Sequence, residues 1–547
     1  MIAAFSGGKG WGGFFVNLAA VLSGALLFAA SFPNPFIIEG LPLLAWIAFV
    51  PVFWVVNRAP IGASVFWGAL YSYTAYSLFN YWLAVFDPKA GPIVSLIYVC
   101  YFIVLFPLLK LALILFPKRG YLIQWLIWLG YEYLRTLGFL GYPYGISGYS
   151  QWSLLPVIQI ASITGVWGVS ALILFPSCYI AAALGSLKPE AGLRRITEIT
   201  AFLRREALPG ALWAAALLGT LIFGVVSPVD YSAAPAARIA LIQHNSDPWL
   251  GGIPEFRNNL EVLKRLSEEA LAAGPKPDLV VWSETAFVPR IYWHTTYRTD
   301  QASYALVKEL MDFLSVQDVP FVIGNDDARN EVNEQGLWEQ VDYNAVMLYD
   351  RGGLKGLYRK LHLVPFTESF PYKKQFPGIY EALEKADTHF WKKGTEVVVF
   401  DSRGLKFSTP ICFEDTFGYL SRNFVRRGAE IIVNLSNDAW SKSVPAQMQH
   451  FSMAVFRAVE NRRSMVRSTA SGQTCAVDPN GKILAMAEPF TESWITAEVP
   501  VVDVKTPYTF YGDLWALIFA ALAFIALLSG SAGYTIRRIT IKKGRTR

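Results

Sequence analysis

Cysteine, histidine and charged residues are scarce in this chain of 547 residues. It has 4 cysteines and 5 histidines, and Asp, Glu, Lys and Arg together make up 16% of its residues. Cys100 and Cys178 lie inside apolar runs, and Cys412 and Cys475 have neither C-x-x-C spacing nor paired histidines nearby. This pattern excludes the usual zinc sites and disulfide frameworks. We therefore expect no metal and no cofactor.

Apolar residues take the place of the missing charge. Hydrophobic residues make up 53% of the chain and aromatic residues 15%, a composition typical of membrane proteins. Residues from about 235 to 505 have ordinary globular composition instead. This difference indicates that one part of the chain lies in lipid and the other in water. The net charge of +6 comes mostly from residues beside apolar segments, so we expect no nucleic-acid partner.

Eight apolar runs approach the length of about 20 residues that a helix needs to cross a bilayer. The first run is followed at once by others and lacks a small-residue cleavage site, so we interpret it as a retained span rather than a signal peptide. The eight predicted spans are residues 12–31, 36–56, 61–86, 92–116, 121–140, 158–185, 208–227 and 513–531.

Lysine and arginine gather in alternate connections between these spans. They occur at Arg58, at residues 118–119, in the loop 186–207 and in the tail after residue 531. Connections rich in these residues face the cytoplasm. We therefore expect both termini in the cytoplasm and the polar domain on the outer side.

Glu132 and Arg135 are charged residues within a predicted span. Such residues usually face a bundle interior or an aqueous pocket because a charge in hydrocarbon is costly. Residues three apart are neighbours on a helix surface, which favours a mutual ion pair. A role at lipid headgroups is the alternative.

The polar part alternates strand-like and helix-like stretches. "ARIALIQHN" and "PDLVVWSE" are typical of buried strands, and "FRNNLEVLKRLSEEALAA" places apolar residues at helical spacing. Strands that alternate with helices indicate an α/β domain. We predict a bundle of seven helices over residues 1–230, the α/β domain over 231–507, and an eighth helix with a basic tail over 508–547.

Polar residues follow the predicted strands of this domain. Glu284 closes "PDLVVWSE", Cys412 closes "KFSTPIC", and residues 434–438 close "EIIVNLSND", while Lys360 lies beyond the turn-like "DRGGLKG". Ligands of layered α/β folds bind at the edge where strands end. We therefore expect a glutamate, a lysine and a cysteine to converge there.

These three residue types suit covalent acyl transfer. A cysteine attacks as its thiolate, for which a carboxylate can accept the proton, and a lysine with the backbone N–H after the cysteine can stabilise the resulting oxyanion. Each residue also has a plain structural explanation. Cys412 can be a small buried core residue, Lys360 a solvated lysine, and Glu284 a residue at a helix start.

Four motifs in this order, "WSETAF", "YRKLHLVPFTESFP", "PICFED" and "NLSNDAW", resemble those of the nitrilase superfamily, whose members use a Glu, Lys, Cys triad. A domain of this kind inserted before the last of eight spans is similar to one branch, the apolipoprotein N-acyltransferases. The resemblance covers nearly the whole chain. It implies an α-helical membrane bundle of eight transmembrane helices plus an α/β nitrilase-like αββα sandwich domain.

The resemblance also implies roles for individual residues. Glu284 is then the general base, Lys360 the oxyanion stabiliser and Cys412 the nucleophile, while Glu368 orients Lys360 and the incoming amine. Glu414 is a third carboxylate, with a helix-dipole role as the alternative. The remaining residues that the resemblance implies as substrate-binding or supporting are Trp249, for which plain packing is an alternative, Phe413, Asn437 and Trp440.

Two positions depart from the family pattern. Phe413 stands where tyrosine is common, and Thr367 where glycine is usual. Phenylalanine keeps the ring and the backbone N–H, so the oxyanion hole is retained and a hydroxyl contact is lost.

The implied reaction has two half-reactions. Cys412 takes the sn-1 acyl chain of a phospholipid, typically phosphatidylethanolamine, as a thioester, and the α-amine of a diacylglyceryl cysteine on an apolipoprotein then takes that chain as an amide. The implied location is the bacterial inner membrane, with the catalytic domain on the periplasmic side, and we expect a monomer. The stretch "ESFPYKKQFPGIY" suggests a mobile lid at the headgroups, with an ordinary surface loop as the alternative.

Two rival functions come from other classes. A membrane-tethered amidase or other carbon-nitrogen hydrolase uses the same triad with water as its second substrate, although it needs one span at most. A transporter with an inert nitrilase-like lid predicts paired ionisable residues deep in several spans and repeated halves, and the sequence has few such charges and no repeat.

Overall fold

The computed structural model describes residues 10–86, 88–187, 195–333, 335–385 and 388–545. Its contacts divide the chain into two compact units. The first unit takes the chain up to Ser227 and again from Asp513 onward, and the second covers Pro228–Gly512. We call them the membrane unit and the catalytic unit.

Apolar helices make up the membrane unit, because a helix pairs all its interior backbone polar groups without water. Within the described ranges, five helices are long and apolar enough to cross a membrane. The prediction of eight such helices is therefore not confirmed. The predicted spans 36–56, 61–86 and 121–140 correspond to shorter helices, and the last of these ends at Leu134, ahead of a turn with Gly138 at a φ of 75°. The five long apolar segments are Gly10–Ser31, Ala90–Leu115, Val166–Gly185, Ala207–Val226 and Leu514–Ile536.

The helices of this unit differ widely in length. Its described α-helices are α1 (Gly10–Ser31), α2 (Ala45–Ala48), α3 (Val50–Arg58), α4 (Ile61–Phe79), α5 (Leu83–Phe86), α6 (Ala90–Leu115), α7 (Gly120–Leu134), α8 (Leu155–Ile158), α9 (Ala161–Thr164), α10 (Val166–Gly185), α11 (Arg195–Arg205), α12 (Ala207–Val226) and, after the catalytic unit, α20 (Leu514–Arg545).

Glu132 and Arg135 have separate hydrogen-bond partners, so the predicted mutual ion pair is wrong. Glu132 accepts hydrogen bonds from the backbone N–H and the hydroxyl of Ser147, at 3.0 and 2.5 Å. Arg135 donates to the Tyr98 hydroxyl at 2.9 Å and to two carbonyl oxygens in the loop 142–144 at 2.8 and 2.9 Å. Arg135 follows the last residue of α7, and its side chain therefore reaches the loop carbonyls rather than the preceding turn.

The catalytic unit contains two sheets of six strands each. The first has the order β12-β1-β2-β3-β4-β5 and the second the order β11-β10-β9-β8-β7-β6. The strands are β1 (Ala236–Gln243), β2 (Leu279–Val281), β3 (Phe321–Val332), β4 (Trp338–Asp350), β5 (Gly353–Arg359), β6 (Val399–Ser402), β7 (Leu405–Ser408), β8 (Ile431–Ser436), β9 (Ser464–Thr469), β10 (Cys475–Val477), β11 (Ile483–Met486) and β12 (Ser493–Pro500).

The two sheets share one buried core, to which both contribute apolar side chains such as Leu241, Val346, Val433 and Val466. A second core lies on the other face of the first sheet, where Leu263 and helix residues like it pack. Sheets that bury one face against each other and the other against helices form a layered α/β sandwich. The helices of this unit are α13 (Ile253–Ala272), α14 (Ile291–Thr296), α15 (Gln301–Ser315), α16 (Pro377–Lys385), α17 (Gly418–Arg426), α18 (Val444–Asn461) and α19 (Pro507–Tyr511).

The first and last strands of the unit are neighbours. β1 pairs with β12 in antiparallel register, and Ala236 lies opposite Pro500. β1 also pairs with β2 in parallel. The first and last strands of the unit therefore lie side by side at one edge of the first sheet, and β5 forms its opposite edge.

Candidate active site

The three predicted catalytic residues lie just beyond strand ends. Glu284 follows β2, Lys360 directly follows β5, and Cys412 begins a 3-10 turn, Cys412–Thr416, after β7. β7 stops at Ser408, four residues earlier than "KFSTPIC" suggests, because Pro410 has no N–H to continue the ladder. The structure brings the three residues to one place, where Lys360 Nζ lies 3.2 Å from Glu284 Oε1 and both charges act on the Cys412 thiol.

Lys360 is the centre of the site. Its side chain is 0% exposed, and its ammonium group contacts Glu284 at 3.2 Å and Glu368 at 2.7 Å. Burial alone lowers the pKa of Lys360, but the two carboxylates outweigh burial and raise it. The two carboxylates therefore favour the charged form of Lys360, and its complete burial excludes its interpretation as a solvated lysine.

Glu284 is held by hydrogen bonds to both carboxylate oxygens. Oε1 accepts from Asn344 Nδ2 at 2.8 Å, and Oε2 accepts from the backbone N–H of Asn437 at 2.9 Å. The Glu284 backbone also lies tightly against Gly324 of β3, where an added Cβ would stand 2.7 Å from the Glu284 Cα. Asn437 was predicted as a supporting residue. Asn344 was not, although a buried asparagine inside an apolar strand is a signal, since such a group needs a partner.

Glu368 sits in a tight turn that aims it at Lys360. Its second oxygen, Oε2, accepts from the backbone N–H of Val364 at 2.8 Å. Phe366 in the same turn has a φ of 67°, a conformation that costs energy for a residue with a side chain. Burial raises the pKa of Glu368, with Lys360 opposing the shift. The geometry supports the predicted orienting contact with Lys360.

Cys412 has an unusual backbone conformation and a thiol whose pKa is raised. Its φ is 47°, which costs energy for a non-glycine residue, and it remains partly exposed and free of any disulfide. Burial of the thiol and the nearby charge of Glu284 raise its pKa well above the ordinary value, while Lys360 lowers it. A neutral thiol next to a carboxylate attacks only when the carboxylate takes its proton.

Glu414 ties the Cys412 turn to the Lys360 loop. Its carboxylate accepts from the backbone N–H groups of Ile411 at 2.8 Å, Leu361 at 2.6 Å and His362 at 2.9 Å, and from the Tyr358 hydroxyl at 2.9 and 2.8 Å. Burial raises the pKa of Glu414 to about 7. The cross-link between two loops accounts for this carboxylate better than a helix dipole does, since the turn holds only five residues.

Replacing Glu414 by glutamine is expected to destabilise the protein by about 1–3 kcal/mol, because the amide NH2 meets at least one backbone N–H that then lacks an acceptor. Tyr358→Phe is the matched control. It leaves the carboxylate and its three backbone donors in place, and we expect a loss of about 1 kcal/mol. Thermal unfolding of the purified proteins measures both changes, and a Glu414→Gln variant that is no less stable than the unchanged protein contradicts the cross-link.

The aromatic residues predicted to bind or support substrate have different environments. Phe413 is buried and packs edge-on against Phe417, with ring centroids 5.0 Å apart. Trp249 is 56% exposed in the loop after β1, so it contributes little to the core and the packing alternative is disfavoured. Trp440 lies partly exposed in the 3-10 turn Ala439–Ser441. No bound group tests their contact with substrate, which stays a prediction.

His362 donates its backbone N–H to Glu414, and its ring nitrogen contacts the Tyr419 hydroxyl at 2.9 Å. Burial, together with nearby lysine charges, lowers the pKa of this histidine to about 4. It therefore supports the Lys360 loop as a neutral ring.

The predicted lid segment is exposed. Pro371 to Ile379 all lie at the surface, whereas Phe370 is buried. Its motion stays a prediction. Within the described ranges, no group of three or more His, Cys, Asp or Glu side chains is placed to hold a metal ion.

Comparisons with known proteins add family information to this geometry. The carbon-nitrogen hydrolase family matches residues 238–506, and the family described as apolipoprotein N-acyltransferase N-terminal domain matches residues 23–179. A Treponema denticola protein named "Apolipoprotein N-acyltransferase 1" is 42% identical over 543 residues, which cover 97% of this chain and 99% of that protein. Its namesake from Treponema pallidum is 45% identical over 524 residues, covering 93% and 95%.

One similar solved structure is a carbon-nitrogen hydrolase from Helicobacter pylori G27. It has a TM-score of 0.36 and 16% sequence identity, and the match covers 48% of this chain and 89% of that one.

Proposed function

Because the chain belongs to the apolipoprotein N-acyltransferase family, we propose that this acyltransferase moves an acyl chain from a phospholipid to a lipoprotein through a thioester on Cys412. The observation that carries the proposal is the buried Lys360 ammonium, held between Glu284 and Glu368 beside a partly exposed thiol. That arrangement supplies a base, an oxyanion stabiliser and a nucleophile at one point.

The first half-reaction forms the thioester. Glu284 takes the proton of Cys412, and the thiolate attacks the sn-1 ester carbonyl of the phospholipid. The Lys360 ammonium and the backbone N–H of Phe413 stabilise the oxyanion. The intermediate then expels the glycerol oxygen, which takes the proton from Glu284 and leaves as a lysophospholipid.

The second half-reaction forms the amide. The α-amine of the diacylglyceryl cysteine gives a proton to Glu284 and attacks the thioester carbonyl. The intermediate expels the Cys412 thiolate, to which Glu284 returns the proton. One ester bond is broken and one amide bond is formed over the cycle, and the enzyme ends as it began. A fixed base serves both steps because Asn344 and Asn437 hold it in one orientation.

The lipid substrates explain why the catalytic unit is joined to membrane helices at both ends. Phosphatidylethanolamine is the donor that we propose, since its sn-1 ester lies at the bilayer surface. Attachment to the membrane replaces a search through solution. Trp249, with its exposed ring, is suited to contact an acyl chain.

The finer membrane arrangement is also part of the proposal. We place eight spans in the bacterial inner membrane, with the shorter helices α3, α4 and α7 completing the five long ones, both termini in the cytoplasm and the catalytic unit on the periplasmic side. The clusters of lysine and arginine support this orientation. All residues of the site come from one chain, which is consistent with a monomer.

Purified protein incubated with phosphatidylethanolamine labelled in its sn-1 chain and a diacylated lipopeptide tests the proposal. We expect the label on the lipopeptide amine and an equal amount of lysophospholipid. Release of the label only as free fatty acid supports a carbon-nitrogen hydrolase type of reaction with water instead. In a parallel incubation with phosphatidylethanolamine labelled only in its sn-2 chain, transfer of the label to the lipopeptide contradicts the proposed donor ester.

A further inference from the structure

Four charged side chains are buried near Cys412 and are distinct from Lys360 and its two glutamates. They come from the Cys412–Thr416 turn, the loop after β8, helix α18 and strand β9. None is more than 3% exposed. We call this group the charge quartet, and its members are Asp415, Asp438, His450 and Arg467.

Each cation of the quartet contacts both carboxylates. His450 Nε2 lies 2.8 Å from Asp415 Oδ1, and His450 Nδ1 lies 2.9 Å from Asp438 Oδ1. Arg467 Nη1 hydrogen bonds to Asp415 Oδ2, and its Nη2 lies 3.2 Å from Asp438 Oδ2. Each ring nitrogen of His450 thus faces a carboxylate oxygen, an arrangement that favours the imidazolium form, in which both nitrogens donate. Arg467 Nη2 also lies 3.4 Å from His450 Nδ1.

The titration of these groups agrees with the geometry. Burial lowers the pKa of His450, but Asp415 and Asp438 outweigh it and raise the pKa to about 9. Burial opposes ionisation of Asp438, and the cations His450 and Arg467 outweigh it, lowering its pKa to about 2. His450 and Asp438 are therefore both charged at neutral pH. The His450 charge is lost as the pH rises through about 9.

The quartet joins the two loops that carry the chemistry. Asp415 lies three residues after Cys412 in the same short turn. Asp438 directly follows Asn437, whose N–H holds Glu284 at 2.9 Å. Ser436 donates its hydroxyl to Asp438 Oδ1 at 3.1 Å and also interacts with the Cys412 thiol. A contact network of this kind fixes the distance between nucleophile and base.

The quartet also sets the potential at the sulfur. Asp438 acts on the thiol in the same direction as Glu284, which raises its pKa, whereas Lys360 opposes them. Arg467 interacts with the thiol as well. The remaining titratable neighbour is Cys475 on β10, whose pKa burial raises to about 12. Cys475 is therefore neutral over the working range.

We propose that His450 is a positioning residue of the acyl transfer reaction. Together with Arg467 it neutralises the charges of Asp415 and Asp438. The Cys412 thiol then has no net charge from the quartet next to it and keeps its position relative to Glu284. The proposal rests on the proposed function only in taking Cys412 as the nucleophile. Buried ion clusters bring little net stability, so stability alone does not explain this one.

The test is the pH dependence of Cys412 alkylation by iodoacetamide, mapped by mass spectrometry on the full-length protein in detergent. His450→Gln leaves one cation against two carboxylates. We expect the alkylation profile to move to higher pH, with a rate about tenfold lower at a given pH, which corresponds to about one unit in the thiol pKa. Alkylation of a cysteine-containing peptide added to the same samples is the internal reference.

A second substitution separates charge from shape. His450→Gln with Asp438→Asn restores a neutral quartet, and we expect the profile to return toward that of the unchanged protein. A rate that falls equally at every pH in both variants, or an unchanged rate in His450→Gln, overturns the proposal. If His450→Gln does not fold, the Asp438→Asn variant is the test. Its quartet has a net positive charge, so we expect alkylation of Cys412 to be about tenfold faster. An unchanged rate in this variant refutes the proposal.

This measurement is independent of acyl transfer. Alkylation reports the Cys412 thiol whether or not a phospholipid is the donor. Suppose that His450→Gln shifts the alkylation profile as expected but the unchanged protein does not acylate lipopeptide. The proposed function is then overturned, and the effect of the quartet on the Cys412 thiol is still supported.

Discussion

Alanine at position 412 is expected to lower acyl transfer by about 10⁴-fold or more, as loss of a nucleophile does in other covalent enzymes. Lys360 and Glu284 remain in this variant, but no atom is left to hold the acyl chain between the two half-reactions. The release of lysophospholipid without lipopeptide present measures the first half-reaction directly. In the unchanged protein we expect one equivalent to be released as a burst.

Cys100→Ala is the matched control, because it makes the same atomic change at an exposed cysteine of the membrane unit. We expect full activity and the same burst. Mass spectrometry of the protein after the burst should show the acyl group on the peptide that contains Cys412, in a form that hydroxylamine releases. An acyl group mapped to another residue contradicts the mechanism.

Methionine in place of Lys360 is expected to lower the rate of transfer by about 10²–10³-fold through loss of oxyanion stabilisation. It is also expected to destabilise the catalytic unit by about 3–5 kcal/mol, because the change leaves Glu284 and Glu368 as buried carboxylates without their shared cation. Lysophospholipid release and thermal unfolding measure the two effects separately.

The double variant Lys360→Met with Glu368→Gln distinguishes catalysis from folding. Removing the second carboxylate relieves most of the electrostatic cost, since Glu284 keeps its hydrogen bonds to Asn344 and Asn437. We expect stability to recover and activity to stay low. Recovery of activity together with stability means that Lys360 only maintains the fold.

Much of the fold is encoded in local pattern. The strand in "ARIALIQHN" and the helix after it occur at Ala236–Gln243 and Ile253–Ala272, because continuous apolar runs and helical spacing are strong signals. The stretch "DRGGLKG" is predicted as a turn because of its glycines, but most of it belongs to strand β5. This strand forms by pairing with β4. Pairing of this kind depends on distant residues, which local pattern does not contain.

In the active site, too, local sequence predicts some features, and others depend on distant residues. Glu284, Lys360 and Cys412 were predicted because motif residues follow strand ends, and the structure brings them together. The bonds of Glu414 to the Lys360 loop join residues 52 to 56 apart in the chain, and no spacing rule predicts such a link. The contacts of His450 with Asp415 and Asp438 likewise join residues that are 35 and 12 positions apart, and they form only after folding.

The pairing of β1 with β12 makes the catalytic unit suitable for insertion into a loop of another protein. Ala236 opposite Pro500 means that the catalytic unit begins and ends on adjacent strands. A folded body with neighbouring ends can be inserted into a single loop of a host chain, as domain insertions generally require. Such an insertion leaves the order of the host helices unchanged, and the membrane unit here resumes at Asp513 directly after the inserted unit.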